Sequence, residues 1–223
     1  MASTTADHSN HQSHHGSPEA GPKKPREVDI FGRATHGKVG MWIYLCTDAM
    51  TFAGLLLGYA LLRGRTPNWP VPADILGLEI SSAMTFILIL SSVTMVIAQA
   101  KGEARDRKGL ITYLAITCVG GLAFLGLQVY EYHHLLNHVM TISSINLAQY
   151  PTLPPQFAQT FYVVTSFHGL HVLSGVIYLL IILGRAIAGK FDNGDCNHVE
   201  VAGLFWHFVD LVWILVFTFM YLV

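Results

Sequence analysis

Residues Phe157–Gly184 read FAQTFYVVTSFHGLHVLSGVIYLLIILG, an unbroken run without a single Asp, Glu, Lys or Arg. At about 1.5 Å of rise per residue, the run exceeds the roughly 20 residues that cross the hydrocarbon core of a bilayer. Its apolar side chains fall on every helical face, whereas a surface helix of a soluble domain keeps a polar stripe. Four more stretches share this character: Val39–Leu62, Ile80–Ala100, Leu110–Tyr132 and Val199–Val223. Backbone groups in lipid must be satisfied within their own segment, so each stretch is read as a helix. The alternating polarity of barrel strands is absent. The predicted fold is an all-α integral membrane protein, a five-transmembrane-helix bundle over residues 36–223.

Composition agrees with this reading. Only 12% of residues are charged, about half the usual share in soluble proteins. A net charge of −1 gives no electrostatic case for binding nucleic acid, and the run Lys23, Lys24, Pro25, Arg26 is too short to act as a basic arm. Cys46, Cys118 and Cys196 show no paired spacing, which argues against a disulfide framework or a zinc site. Residues 1–35 are rich in His, Ser, Pro and charge and are expected to be a disordered tail. Its His8, His11, His14 and His15 suit a solvated tail, a proton-buffering tail, or adventitious metal binding. No apolar signal-peptide core precedes the first helix, which is expected to direct its own insertion.

Lys and Arg in the flanks and loops set the expected orientation. Lys23, Lys24, Arg26, Arg33 and Lys38 precede the first helix. Lys101, Arg105, Arg107 and Lys108 lie in the second connection, and Arg185 and Lys190 in the fourth. Only Arg63 and Arg65 fall on the other side, so eleven basic residues face two. The N-terminus is therefore expected in the cytoplasm, or in the matrix of an organelle, and Val223 on the opposite side, the periplasm in a bacterium. The connection from His138 to Gln156, with Tyr150, Pro151, Pro154 and Pro155, reads as an extended lid along the outer surface.

An ionisable group inside a span is expensive unless paired or hydrated, so each needs a reason. Asp48 lies near mid-depth of the first helix, and Glu131 near the outer end of the third. His168 and His171 are on the fourth, and Glu200, His207 and Asp210 on the fifth. His168/His171 and His207/Asp210 are each spaced i, i+3 and share a face. Metal or haem ligation by His168, His171 and His207 is one reading; polar contacts that join helices are the other. Asp48 and Glu131 are read as members of a proton relay or as neutral, hydrogen-bonded acids. Gly54/Gly58 and Gly120, Gly121 and Gly126 suggest close helix packing. Trp42, Trp69, Tyr130, Tyr132, Tyr150 and Trp206 are expected as interface anchors, and Arg185 is placed to reach a lipid phosphate.

Four segments together resemble cytochrome c oxidase subunit III: Gly40–Gly54, Gly126–His134, Phe167–Gly175 (FHGLHVLSG) and Glu200–Trp213 (EVAGLFWHFVDLVW). The order matches, and the likeness covers nearly all of residues 37–223. The resemblance implies a subunit of a haem–copper oxidase that packs beside catalytic subunit I and near subunit II. Haem and copper then reside in the partner subunits, with none in this chain. It also implies bound phospholipid, at Arg185, Trp42, His168 and His171, and a part in oxygen access and proton uptake by subunit I. Asp48 stands where the family usually has glutamate. Mitochondrial-type members have two further helices ahead of these five, so the bacterial inner membrane is the expected location. Cytochrome c is the expected electron donor, since Glu200 before Ala-Gly-Leu-Phe-Trp-His resembles that branch. The alternatives are a quinol oxidase subunit and an accessory protein of a nitric oxide reductase. Membership of a respiratory supercomplex with a cytochrome c or quinol-oxidising complex is a further partner expectation.

Overall fold

The computed structural model describes residues 36–67, 69–72, 76, 78–138, 154–191 and 196–222. Five helices long and apolar enough to cross a membrane make up most of them. They are α1 (His36–Arg65), α2 (Leu78–Glu103), α3 (Arg107–His138), α4 (Pro155–Ile187) and α5 (Asn197–Phe217), and α5 continues into a π-helical turn, Thr218–Leu222. The fold is an all-helical bundle of membrane-spanning length. The His-rich tail, most of the proline-containing connection expected as an outer lid, and Val223 lie outside the described residues.

Helix α5 is the hub, packed against α1, α2 and α4. Helices α2 and α3 form a tight hairpin, α3 continues onto α4, and α1 packs chiefly on α5 and more lightly on α4. Lipid tails are as apolar as leucine, so these contacts are held by close packing and interhelical hydrogen bonds rather than by escape from water.

The α2–α3 turn shows how the sequence ends one helix and starts the next. Arg105 adopts a left-handed φ of 58°. The Asp106 amide then donates to Lys101 O at 2.9 Å and the Arg105 amide to Gly102 O at 3.0 Å, closing the last carbonyls of α2. Helix α4 ends in the same way, with Gly189 at φ 73° in the equivalent place. Asp106 then caps α3, its Oδ1 accepting from the Gly109 amide at 3.0 Å. That backbone bond, with Lys101 Nζ 3.1 Å from Oδ2, holds the Asp106 carboxyl below its ordinary range. A carboxyl lowered on folding contributes stability above its unfolded pKa and loses it as pH falls through the folded one. Acidification into that range should therefore reduce the hydrogen-exchange protection of the Gly109 amide. Asp106→Asn, which can still accept that bond, should remove most of the pH dependence.

The glycines divide by surroundings. A Cβ at Gly121 would meet Trp206 Cη2 at 2.5 Å and Val176 Cγ2 at 2.6 Å, and one at Gly169 would meet Gln128 Oε1 at 2.6 Å. Gly54, Gly58 and Gly126 have nothing within 4 Å. The Gly54/Gly58 pair expected to pack helices closely thus does not do so among the described residues.

Candidate functional site

Helix α2 sets a row of hydroxyls against α3 and α5. Ser81 and Thr85 are one turn apart, and Ser91 and Ser92 follow further along. Ser81 Oγ donates to Glu131 Oε1 at 3.1 Å. Trp213 Nε1 donates to Thr85 Oγ1 at 2.9 Å, and Trp206 Nε1 to Ser91 Oγ at 3.1 Å. Ser92 Oγ pairs with His207 Nδ1 at 2.6 Å. A buried indole N–H or imidazole nitrogen left without a partner is costly, and here a serine or threonine of α2 supplies one. The sequence reading passed over these hydroxyls. Their signal is a helical spacing of small polar residues within an otherwise apolar span.

Trp206 corrects one expectation. It is 1% exposed, its ring seated against Gly121 and Gly175, so it is a core residue and not an interface anchor. Hydropathy places a residue along the membrane normal, whereas this error concerns which way the side chain faces.

Glu131 is buried and joins three segments. Its Oε1 accepts from Ser81 of α2, and its Oε2 from Tyr221 of the π-helical turn at 3.0 Å. On the same side of the bundle, Gln128 Nε2 donates to Thr165 O at 2.8 Å, and Tyr132 OH bonds Thr165 Oγ1 at 2.7 Å, stitching α3 to α4. Gly169 is the position that lets the Gln128 amide approach.

Asp48 and His171 form a pair between α1 and α4. Asp48 Oδ1 lies 3.1 Å from His171 Nε2, and His171 Nδ1 lies 2.8 Å from Phe167 O. A carbonyl only accepts, so Nδ1 carries its hydrogen. A bond between Nε2 and the carboxyl then requires one more proton, held on either the acid or the ring. The pair therefore shares a single proton, and its two groups are 9% and 13% exposed at the side chain.

His168 behaves differently from His171 despite its spacing. It is completely buried, and neither ring nitrogen has a hydrogen-bond partner among the described residues. Its ring lies between Trp213, at 5.0 Å between centroids, and Phe124, at 5.7 Å. Enclosed on all sides, His168 does not present the lipid contact expected of it. Among the described residues, no three His, Cys, Asp or Glu side chains converge as a metal site would require, and His168, His171 and His207 each have different surroundings.

The remaining predicted residues lie toward the helix ends. Glu200, in the first turn of α5, makes an ion pair with Lys38 of α1. Arg185, in the last turn of α4, places its guanidinium 5.4 Å from the centre of the Phe191 ring. Trp42 is 57% exposed near the start of α1. Asp210 is buried beside Ser92, with Oδ1 unpartnered among the described residues.

Comparison with known proteins matches this arrangement to one family. The family model for cytochrome c oxidase subunit III matches residues 33–223. Cytochrome c oxidase subunit 3 of Alkalihalophilus pseudofirmus is 32% identical, over 90% of this chain and 92% of the relative. A probable cytochrome c oxidase subunit 3 of Mycobacterium leprae is 36% identical, over 88% and 92%. The cytochrome bo(3) ubiquinol oxidase subunit 3 of Pseudomonas putida is 33% identical, over 82% and 84%. With five membrane-length helices and a family match across all of them, the chain belongs to the cytochrome c oxidase subunit III family.

Proposed function

We propose that the chain is a non-redox subunit of a haem–copper terminal oxidase in a bacterial inner membrane. In this role it stabilises catalytic subunit I beside subunit II, holds phospholipid, and supports oxygen access and proton uptake. The observation that carries the reading is the use of the in-membrane polar groups. Asp48 pairs with His171, Glu131 with Ser81 and Tyr221, and His207 with Ser92. Side chains spent on joining helices to one another suit a scaffold. The eleven-to-two distribution of basic residues supports a cytoplasmic N-terminus. Arg185 at a helix end and the exposed Trp42 support headgroup contacts, and His171 is the histidine open enough to border an acyl chain.

Cytochrome c is the proposed donor, with quinol as the second reading; the Pseudomonas putida relative favours the second and the other two relatives the first. Purifying the complex through a tag on this chain tests both levels. Recovery of a haem-containing oxidase that consumes oxygen with reduced cytochrome c supports the proposal. Activity with quinol alone moves the donor to the second reading, and recovery of no oxidase refutes the subunit role.

The Asp48–His171 pair gives a sharper prediction. Asp48→Asn replaces the carboxyl with an amide whose N–H can donate to His171 Nε2 while Nδ1 keeps its bond to Phe167 O. Assembly and proton uptake should both persist. A slowed proton uptake in a fully assembled complex would instead make Asp48 a relay member.

A further inference from the structure

Four aromatic rings of α3, α4 and the π-helical turn stand in a continuous row. The centroids of Tyr132 and Tyr162 are 5.3 Å apart, those of Tyr162 and Phe161 5.5 Å, and those of Phe161 and Tyr221 5.6 Å. At one end Tyr132 is half-buried, and its hydroxyl lies 3.1 Å from that of Ser166, an exposed residue of α4. At the other end Tyr221 is fully enclosed. The row therefore runs from the surface of the bundle to a buried phenol. Electrons tunnel readily between rings in contact, and tyrosine is among the side chains most easily oxidised by one electron. Phe161 is not oxidised itself, but it fills the gap between two phenols.

A phenol that loses an electron becomes a strong acid, so it gives the electron up only where its proton can go. The two ends of the row differ in this respect. Tyr132 OH bonds Thr165 Oγ1, whose own hydrogen goes to Phe161 O at 2.7 Å, and an alcohol is too weak a base to keep a proton. Tyr221 OH instead donates to Glu131 Oε2 at 3.0 Å. Ser81 donates to Oε1 at 3.1 Å, so both carboxyl oxygens accept, as an ionised carboxylate does. An enclosed carboxylate is costly in a membrane, and receiving the phenol's proton neutralises it. The chemistry thus favours loss of the electron at Tyr221 over loss at Tyr132.

We propose that Tyr221 and Glu131 form a one-electron trap for organic peroxyl radicals of oxidised lipid, reached from the surface through Tyr132 and Tyr162. The peroxyl radical takes one electron from the row and one proton from water, and becomes a hydroperoxide. Tyr221 replaces that electron: its O–H bond breaks, the proton passes to Glu131 Oε2, and the unpaired electron stays on the phenoxyl group. An enediol reductant in the aqueous phase, donating at Tyr132, returns the electron while Glu131 returns the proton. This activity needs no partner subunit and is independent of the scaffold role.

The test exposes the full chain, in phosphatidylcholine vesicles, to peroxyl radicals from a lipid-soluble azo initiator and records electron paramagnetic resonance of the frozen sample. The unaltered chain should show a phenoxyl radical. Tyr221→Phe should lose most of that signal, whereas Tyr178→Phe, about 24 Å along α4 from Tyr162, should keep it. Glu131→Gln leaves an acceptor for the Tyr221 hydrogen bond but no base, so the chain should stay helical while the signal falls. Tyr132→Phe should slow the appearance of the signal. A signal undiminished in Glu131→Gln or in Tyr221→Phe overturns the proposal, as does its absence from the unaltered chain. Equal loss in Tyr178→Phe marks unselective oxidation and overturns it too. Should Tyr221→Phe not fold, Glu131→Gln and Tyr132→Phe decide between the same outcomes. The vesicles contain no oxidase partner, so each of these results leaves the scaffold role untouched.

Discussion

Gly121→Leu is expected to destabilise the bundle strongly, while Gly126→Leu, five residues along the same helix, leaves it nearly unchanged. A Cβ at 121 alone falls 2.5 Å from Trp206 Cη2 and 2.6 Å from Val176 Cγ2, before the rest of a leucine is added. Trp206 has little freedom to retreat. It is 1% exposed, its indole N–H is held by Ser91 at 3.1 Å, and Gly175 lies against its other edge with a Cβ distance of 3.1 Å. Overpacking a filled core typically costs about 1–3 kcal/mol and occasionally more, and here it falls where α3, α4 and α5 meet. Thermal unfolding in detergent, followed by circular dichroism, should show a large drop for position 121 and little for 126. Equal stability of the two variants would mean that Trp206 is not fixed as described.

Glu131 is the second position with a large expected effect. Glu131→Leu removes the acceptor of the Tyr221 hydroxyl and one acceptor of Ser81 within a buried site. Leaving a buried donor unmatched costs about 1–3 kcal/mol, and few competing partners are available at this depth. Glu131→Gln keeps a carbonyl acceptor and should be milder. Because Tyr221 lies in the π-helical turn Thr218–Leu222, the loss should appear first as proteolytic clipping near the C-terminus. A double-mutant cycle of Glu131→Gln with Tyr221→Phe should return a coupling energy; additive effects would show that the two groups act independently.

Much of the fold was legible because membrane insertion constrains sequence so tightly. Runs such as Phe157–Gly184 have one reading once backbone hydrogen bonding in lipid is considered. What was hard to read was azimuth, the direction a side chain faces around its helix. With apolar residues on all faces there is no stripe to follow, so Trp206 was assigned to the interface and His168 to lipid, although both are enclosed. The glycines divided for the same reason: Gly120 and Gly121 take the close contacts expected of them, while Gly126 and the spaced pair Gly54/Gly58 have nothing within 4 Å among the described residues. The costly residues themselves were legible, since Asp48, Glu131, His171 and His207 are conspicuous in apolar spans. Their partners were not, because Ser81, Ser91 and Ser92 are ordinary residues in a membrane helix and lie far along the chain from the groups they satisfy.

The most direct test of the scaffold role is to purify the oxidase through a tag on this chain, release the chain from its partners, and record visible spectra and metal content of both fractions. The account predicts haem and copper in the intact complex and neither in the released, still helical chain. Haem or copper bound stoichiometrically to the released chain would contradict it and would return His168, His171 and His207 to the status of ligands.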